Sequence, residues 1–195
     1  SPQGSRQEVT LSAVRPIFLI GFMASGKTTL GRALEAALPG IRFVDLDEAV
    51  EQAAGCSVAD IFARHGEEAF RRLESDTLRA VGTAGAIVAC GGGTPCRREN
   101  IEFMLAHGTV VRLDASADTI VRRLLEADPG KRPLVREYMA DPDALRRKVE
   151  QMMAARKEYY DLATDAFDAN RLDNRAEVDD SVERFISQFN LINPE

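Results

Sequence analysis

The sequence predicts an α/β fold in which a central parallel sheet of five strands lies between layers of helices. Short apolar runs alternate with longer segments that have helical periodicity, a pattern typical of parallel sheets with crossover helices. The first apolar run leads into a glycine-rich loop, and the third ends in three consecutive glycines. A chain of 195 residues is long enough for one such domain with an adequate core.

Composition and charge narrow the possible functions. Hydrophobic residues make up 45% of the chain and charged residues 29%, as in ordinary soluble proteins. The formal net charge of −6 argues against a general nucleic-acid binder, although a local basic site can still bind a small anion. No apolar run is long enough to cross a bilayer, and no signal-peptide pattern is visible. We therefore expect a cytoplasmic protein without nucleic-acid or membrane partners.

The cysteines indicate reduced thiols rather than disulfides or a metal site. Cys56, Cys90 and Cys96 are odd in number and do not form a CxxC pair, which favours a reducing compartment. Zinc is disfavoured as well, because only two histidines are available as further ligands.

The strand at residues 17–20 is followed by GFMASGKTT, which matches the phosphate-loop pattern GxxxxGK[ST]. Glycines permit a tight turn whose N–H groups point at phosphates, and the next helix directs its positive end at the same anion. The lysine can reach the β and γ phosphates, and the hydroxyl after it can bind Mg²⁺. A chance glycine loop is the alternative, but both flanks have the expected strand and helix patterns. The candidates for nucleotide binding are Ala24, Ser25, Gly26, Lys27, Thr28 and Thr29.

The first helix is predicted to end near Pro39 and Gly40, and residues 41–44 form a second strand that leads into Asp45 and Asp47. If the extended conformation continues, both carboxylates point the same way beyond the strand's carboxyl end, where open α/β sheets bind ligands. One acid would then help to hold Mg²⁺ and the other would meet a substrate hydroxyl. The alternative is a polar loop with an N-cap aspartate before a helix from Glu48.

A capping box at residues 57–60 predicts a short helix that Gly66 ends, and a longer helix follows over residues 67–81. Arg71 lies near the apolar stripe of the longer helix; taken alone, it is more typical of a solvated face. Residues 86–90 form the third strand. The glycines after it, Gly91 to Gly93, either make a simple turn or allow a ligand to approach the backbone closely.

Residues 109–113 form the fourth strand, and a helix with Arg122 and Arg123 follows. Strong turn signals at residues 128–130 then precede Arg132 in a basic loop. This segment is either an exposed loop or a mobile lid of residues 124–140 that brings a cation over the transferred phosphate. Asp141 and a proline start the next helix. A weak strand at residues 166–169 and an amphipathic helix at residues 177–189 close the chain. We expect one domain over residues 15–190, preceded by a flexible arm or tag remnant at residues 1–14.

The order of these motifs resembles the shikimate kinase family, which belongs to the P-loop kinases related to nucleoside monophosphate kinases. The resemblance rests on GFMASGKTT, then DLD, IFARHGEEAFRRLE, GGG, RPL and the stretch from Arg156 to Tyr160, and it spans residues 17–189. It implies a three-layer P-loop kinase fold with a mobile lid. It also implies transfer of the ATP γ-phosphate to the 3-hydroxyl of shikimate, by a monomer acting in chorismate and aromatic amino acid biosynthesis.

The resemblance also implies residue roles. Lys27, Asp47 and Arg132 would be catalytic, with Asp47 on a shikimate hydroxyl and Arg132 on the lid, near substrate and phosphate. Thr28 and Asp45 would hold Mg²⁺. Either Arg123 or Arg122 would stack near adenine. The acceptor site would consist of Asp47, Phe62, Phe70, Arg71, Gly91, Gly92, Gly93 and Arg156, with both arginines on the substrate carboxylate.

Two alternatives stay open from the residues alone. A related P-loop kinase could act on another small hydroxy acid, such as gluconate. A nucleotide-binding switch without turnover would bind ATP but form no product with any acceptor. Asp47, Arg71 and Arg156 argue against the switch, because a switch needs no acceptor pocket.

Overall fold

A computed structural model describes residues 15–81, 85–128, 132 and 134–191. Five strands form one parallel sheet in the order β2-β3-β1-β4-β5, which confirms the predicted α/β class and sheet. Their bounds are β1 Ile17–Ile20, β2 Arg42–Asp45, β3 Ala86–Ala89, β4 Thr109–Asp114 and β5 Asp165–Asp168. The expected arm at residues 1–14 and part of the expected lid, residues 129–131 and 133, lie outside the described residues.

Seven α-helices are found in the described part of the chain: α1 Lys27–Ala37, α2 Leu46–Ala54, α3 Val58–Val81, α4 Arg98–His107, α5 Ala117–Glu126, α6 Pro142–Tyr160 and α7 Arg175–Gln188. Helix α3 contains a non-helical residue at Gly66 (φ 83°, ψ 172°), where the sequence predicts the boundary between two helices. No helix is predicted from the sequence at α4. Its N-cap residue, Arg97, makes no side-chain cap hydrogen bond, so the usual start signal is missing.

The two faces of β1 enter two separate cores, because successive side chains of a strand point in opposite directions. Ile17 and Leu19 pack in a cluster with residues of α1 and α7. Phe18 and Ile20 pack in a second cluster with residues of α3, α4, α5 and α6. All four side chains are at most 4% exposed. The sheet is therefore covered on both faces, as the apolar runs predict.

Strand order brings the chemically distinctive loops to one edge of the sheet. β1 pairs with β3 on one side and β4 on the other, so the loop after β1 lies where the strand order reverses, which is the usual ligand crevice of such sheets. Leu19 and Asp45 both pair with Ala89 in the parallel register. The phosphate loop, the acids after β2 and the glycines after β3 consequently begin at the same level. None of the described helices has the length and apolar character that a bilayer crossing requires.

Helix α6 offers a test of the predicted start at Asp141, whose side chain accepts hydrogen bonds from the backbone N–H groups of Asp143 and Ala144. Asp141→Ala should lower the free energy of unfolding by about 1 kcal/mol, because both N–H groups lose their acceptor. Asp143→Ala, in the same turn but outside the cap, should cost less than about 0.5 kcal/mol. Urea unfolding followed by circular dichroism measures both values. Equal losses would show that the cap does not stabilise α6.

Candidate active site

The phosphate loop turns sharply between β1 and α1. Gly21 has φ 151° and Gly26 φ 98°, and a Cβ on Gly21 would lie 2.8 Å from the carbonyl oxygen of Leu113. Ala24 also has a positive φ, 60°, which is uncommon for a residue with a side chain. Helix α1 begins directly after this loop, so its unpaired N–H groups and its positive dipole end face the space where an anion would bind.

Lys27 is held inside the loop by the loop's own oxygens. Its Nζ donates to the carbonyls of Gly21 at 2.7 Å and Phe22 at 2.9 Å, and to Oγ of Ser25 at 3.4 Å. Burial, together with the positive charge of Arg132, lowers the pKa of Lys27 to about 8. An ammonium in this position is available to a bound phosphate, whose negative charge would favour the protonated form.

Asp45 has two different partners for its two carboxylate oxygens. Oδ2 accepts the hydroxyl of Thr28 at 3.0 Å, and Oδ1 accepts the N–H groups of Asp47 at 3.0 Å and Glu48 at 3.3 Å. The expectation of a continued extended chain is therefore wrong: Asp45 is the N-cap of α2, which begins at Leu46, earlier than the alternative helix start at Glu48. The side chain of Asp45 accepts hydrogen bonds from the first N–H groups of α2. This cap favours the start of the helix over continuation of the strand.

The Thr28 hydroxyl and the Asp45 carboxylate form an oxygen donor pair beside the phosphate loop. Hard oxygen ligands suit Mg²⁺, which keeps several waters and is commonly held by one or two protein groups together with substrate phosphates. The described residues contain no group of three or more His, Cys, Asp or Glu that could ligate a metal by itself. The donor pair therefore fits a metal that arrives with a nucleotide.

A cavity of about 750 Å³ opens beside the phosphate loop. It is bordered by α2, α3, α6 and the turn after β3. Every residue that the sequence assigns to the acceptor site lies on its wall: Asp47, Phe62, Phe70, Arg71, Gly91, Gly92, Gly93 and Arg156. Arg132 also borders this cavity. The structure thus brings the proposed acceptor residues together, although their individual roles stay predictions.

The carboxylate of Asp47 is influenced by two other acids, Asp45 and Glu74. It lies in the first turn of α2, and its Oδ1 would be 3.5 Å from a Cβ on Gly91. The residue is exposed by surface area, yet enough protein atoms surround its carboxylate to desolvate it. Desolvation, followed by the negative charges of Asp45 and Glu74, raises the pKa of Asp47 to about 6. A carboxylate whose pKa lies near neutrality can accept a proton from a substrate hydroxyl.

Arg71 is fixed by a buried acid. Its Nη1 donates to Oε1 of Glu74 at 3.1 Å, and Oε2 of Glu74 accepts the hydroxyl of Thr94 at 2.9 Å. Glu74 is 1% exposed, so its charge is stabilised by these two partners. A Cβ on Gly93 would lie 2.6 Å from Nη2 of Arg71. Only a residue without a side chain lets the guanidinium approach this closely.

Arg156, on α6, also borders the cavity. Its guanidinium carbon lies 5.4 Å from the ring centroid of Phe22, and its Nη1 would be 2.7 Å from a Cβ on Gly92. Nη1 is buried and has no hydrogen-bond partner among the described residues. A planar donor with unused N–H groups is suited to a carboxylate.

The apolar part of the wall includes two rings from α3 that are tilted against each other. The centroids of Phe62 and Phe70 are 4.8 Å apart. Phe70 is 4% exposed, whereas Phe62 is 38% exposed and presents its ring to the cavity. The guanidinium carbon of Arg71 lies 5.2 Å from the centroid of Phe70. The cavity therefore combines apolar ring surface with the guanidinium groups of Arg71 and Arg156.

Arg123 makes contacts that the sequence does not predict. It pairs with Asp173 at 2.8 Å and donates to the carbonyl of Ala24 at 3.0 Å and of Ala169 at 2.8 Å. Arg122 pairs with the same aspartate at 3.0 Å. Arg123 thus connects the phosphate loop to the segment after β5. These bonds use the N–H groups at the edge of the Arg123 guanidinium. Stacking of an adenine on the flat face of that group stays a prediction.

Comparison with known proteins places these residues in a family. Residues 23–188 match the family model described as "Shikimate kinase". The chain belongs to the shikimate kinase family. The family resemblance stated from the motifs is thereby confirmed.

Relatives and solved structures of the shikimate kinase family cover nearly the whole chain. The shikimate kinase of Parabacteroides distasonis is 36% identical over 86% of this chain and 95% of its own length. A crystal structure of shikimate kinase from Bacteroides thetaiotaomicron is 33% identical and superposes with a TM-score of 0.81, covering 90% of this chain and 98% of that one. Shikimate kinase from Acinetobacter baumannii, solved in complex with shikimate, has 25% identity and a TM-score of 0.78 over 95% and 98% of the two chains.

Two residues of this family member contribute to the site without being predicted from the sequence. In the sequence, Glu74 is one of several charged residues on its helix, which is typical of a solvated face. Its position three residues after Arg71 could have predicted an ion pair between the two side chains. Tyr160, at the end of α6, donates to the carbonyl of Gly92 at 2.6 Å. No local pattern indicates that contact, since 68 residues separate the two partners.

The two acids that flank Arg71 offer a matched comparison. Glu74→Ala leaves the Arg71 guanidinium and the Thr94 hydroxyl without their buried acceptor, and should lower the free energy of unfolding by about 2 kcal/mol. Glu67, 3.8 Å from the same arginine, has a side chain that is 70% exposed. Glu67→Ala should therefore cost less than about 0.5 kcal/mol. Chemical unfolding of both variants gives the two values, and a Glu67 loss as large as that of Glu74 would contradict the assignment.

Proposed function

We propose that this protein transfers the γ-phosphate of ATP to the 3-hydroxyl of shikimate, which yields shikimate 3-phosphate and ADP for chorismate and aromatic amino acid biosynthesis. The observation that carries the proposal is that a cavity lined by Arg71, Arg156 and the Asp47 carboxylate opens beside the phosphate loop. Shikimate, a ring with hydroxyls and one carboxylate, complements that arrangement. Family membership supports the same reaction.

The donor half of the site would hold the nucleotide through the backbone. The N–H groups of residues 24–29 would bind the phosphate chain. Lys27 would exchange its carbonyl partners in the loop for β- and γ-phosphate oxygens, and it would stabilise the charge that moves during transfer. Arg132, whose charge already acts on Lys27, would add a second cation over the same group.

Thr28 and Asp45 would hold Mg²⁺ as the cofactor, Asp45 through a water. When bound with ATP, the metal neutralises phosphate charge and orients the γ-phosphate for in-line attack. Because the second oxygen of Asp45 caps α2, the same residue orients Asp47 relative to the phosphate loop.

The acceptor half would recognise shikimate by charge and shape. Arg71 and Arg156 would bind its carboxylate, and Phe62 and Phe70 would face the apolar side of its ring. The glycine turn, residues 91–93, would let ring hydroxyls reach the backbone. Asp47 would accept the hydrogen bond of the attacking hydroxyl and take up its proton as the phosphoryl group moves. Closure of the proposed lid, residues 124–140, would exclude water and so limit ATP hydrolysis.

We further propose a monomer that acts in the cytoplasm. Three free cysteines fit a reducing compartment. All residues assigned to the reaction come from one chain and lie around one edge of its sheet.

The acceptor is tested by measuring ADP release with MgATP and shikimate, gluconate or no acceptor. Shikimate should raise ADP release at least tenfold above the rate without acceptor, and gluconate should not. Lys27→Ala should abolish the shikimate-dependent rate while the protein remains folded by circular dichroism, because the phosphate loop loses its cation. Preference for gluconate would favour the related kinase, and ATP binding without turnover on either acid would favour the nucleotide-binding switch.

The proton acceptor is tested by the pH dependence of kcat/KM for shikimate. Asp47 must be ionised to accept a proton, and its pKa is raised to about 6, so activity should fall as pH decreases through about 6. Glu74→Gln removes one of the negative charges that raise this pKa, and should shift the acidic limb to lower pH. Glu48→Gln, on the exposed side of α2, should leave the limb in place. A pH-independent rate between pH 5 and about 8 would contradict the role of Asp47.

A further inference from the structure

Tyr160 ends α6 and connects that helix to the glycine turn. The side chain is buried, with the residue 8% exposed, and its Oη donates to the carbonyl of Gly92 at 2.6 Å. Burial raises the pKa of Tyr160 to about 12, so the hydroxyl keeps its proton at neutral pH and remains a donor. The Gly92 carbonyl is therefore hydrogen-bonded to a residue of α6 and not to a strand of the sheet.

Gly92 lies where three parts of the site meet. A Cβ on this residue would be 2.7 Å from Nη1 of Arg156, 3.6 Å from the backbone nitrogen of Met23 and 3.6 Å from Oη of Tyr160. Met23 belongs to the phosphate loop, and Arg156 and Tyr160 belong to α6. A displacement of Gly92 would consequently change the distance between the donor and acceptor halves of the site.

Arg156 lies one helical turn before Tyr160, on the same side of α6. Its Nη1 has no hydrogen-bond partner of good geometry among the described residues, while the charge of Arg156 acts directly on the Tyr160 hydroxyl and opposes the rise in its pKa. Phe22 and Tyr160 also border a second cavity, of about 370 Å³, on their other side.

We propose that Tyr160 is a positioning residue for the acceptor. Its hydroxyl holds the Gly92 carbonyl, which keeps the glycine turn against the phosphate loop and the Arg156 guanidinium directed into the cavity. This inference rests on the proposed function, because it assigns Arg156 to the substrate carboxylate. Tyr160 acts through Gly92 and Arg156 and does not itself contact the reacting atoms.

The test compares Tyr160→Phe, which removes only the hydroxyl, with Tyr159→Phe in the next position. Tyr159 is half-buried, and its hydroxyl makes no hydrogen bond within the described part of the chain. Y160F should raise KM for shikimate roughly five- to tenfold, as expected for one hydrogen bond, with KM for ATP and kcat within about twofold. Y159F should leave all three constants within about twofold. A general loss of structure would instead lower kcat or change both KM values.

A double-variant cycle separates positioning from an independent effect. If Tyr160 acts through Arg156, adding Y160F to Arg156→Ala should change KM for shikimate by less than about twofold. The same increase in both backgrounds would overturn the proposal. So would equal KM values for Y160F and the unaltered protein. Hydrogen exchange gives a readout that does not depend on turnover: the amides of residues 91–96 should exchange faster in Y160F than in Y159F. Equal exchange rates would contradict the proposal that the Tyr160 hydroxyl holds the glycine turn.

Failure of this proposal is distinguishable from failure of the proposed function. If the unaltered protein shows no shikimate-dependent ADP release, the function itself is wrong. If it is active and Y160F behaves like it, only the role of Tyr160 is wrong. A destabilised Y160F protein can be measured at low temperature with saturating MgATP, because a ligand that binds the native state stabilises it by mass action.

Discussion

The hydrogen bonding of β1 to strands on both sides is the constraint on which the site depends. Parallel pairing with β3 and β4 leaves the carboxyl ends of these strands at one level, with little freedom to slide, since a register shift by one residue would turn buried side chains outward. The phosphate loop, the glycine turn and Asp45 all begin at that level. The sheet thus determines how the phosphate loop is placed relative to the residues of the acceptor cavity. The side chains and backbone groups proposed to react lie mainly in the loops and helices that follow the strands.

Charge in the cavity is organised around acids that already have partners. Asp45 is occupied by Thr28 and by the N-terminus of α2, and Glu74 by Arg71 and Thr94. The negative charges of these two carboxylates help to raise the pKa of Asp47. Asp45 and Glu74 thus hold other groups in place, whereas Asp47 faces the cavity.

The features of this protein that could be predicted from its sequence are those with a signal in a few adjacent residues. The five strands, the phosphate loop and the family follow from apolar runs and from GxxxxGK[ST], because each signal lies within a few adjacent residues. Helix α4 has no capping signal and escaped prediction. The capping role of Asp45 was an alternative that only the structure could select. Long-range contacts, such as Tyr160 with Gly92 or Arg123 with Ala24, depend on tertiary packing and leave no local trace.

The wall that the glycine turn contributes to the cavity is main chain rather than side chain. Any side chain at Gly92 or Gly93 would collide with an arginine, at 2.7 Å or 2.6 Å. A substitution at either glycine would therefore displace the guanidinium group of the neighbouring arginine. Divergence toward other acceptor molecules would have to proceed through the replaceable side chains across the cavity, such as Phe62 on α3 and Leu134 near Arg132. A change of shape on the glycine side is therefore coupled to the two arginines, whereas a change at Phe62 or Leu134 is not.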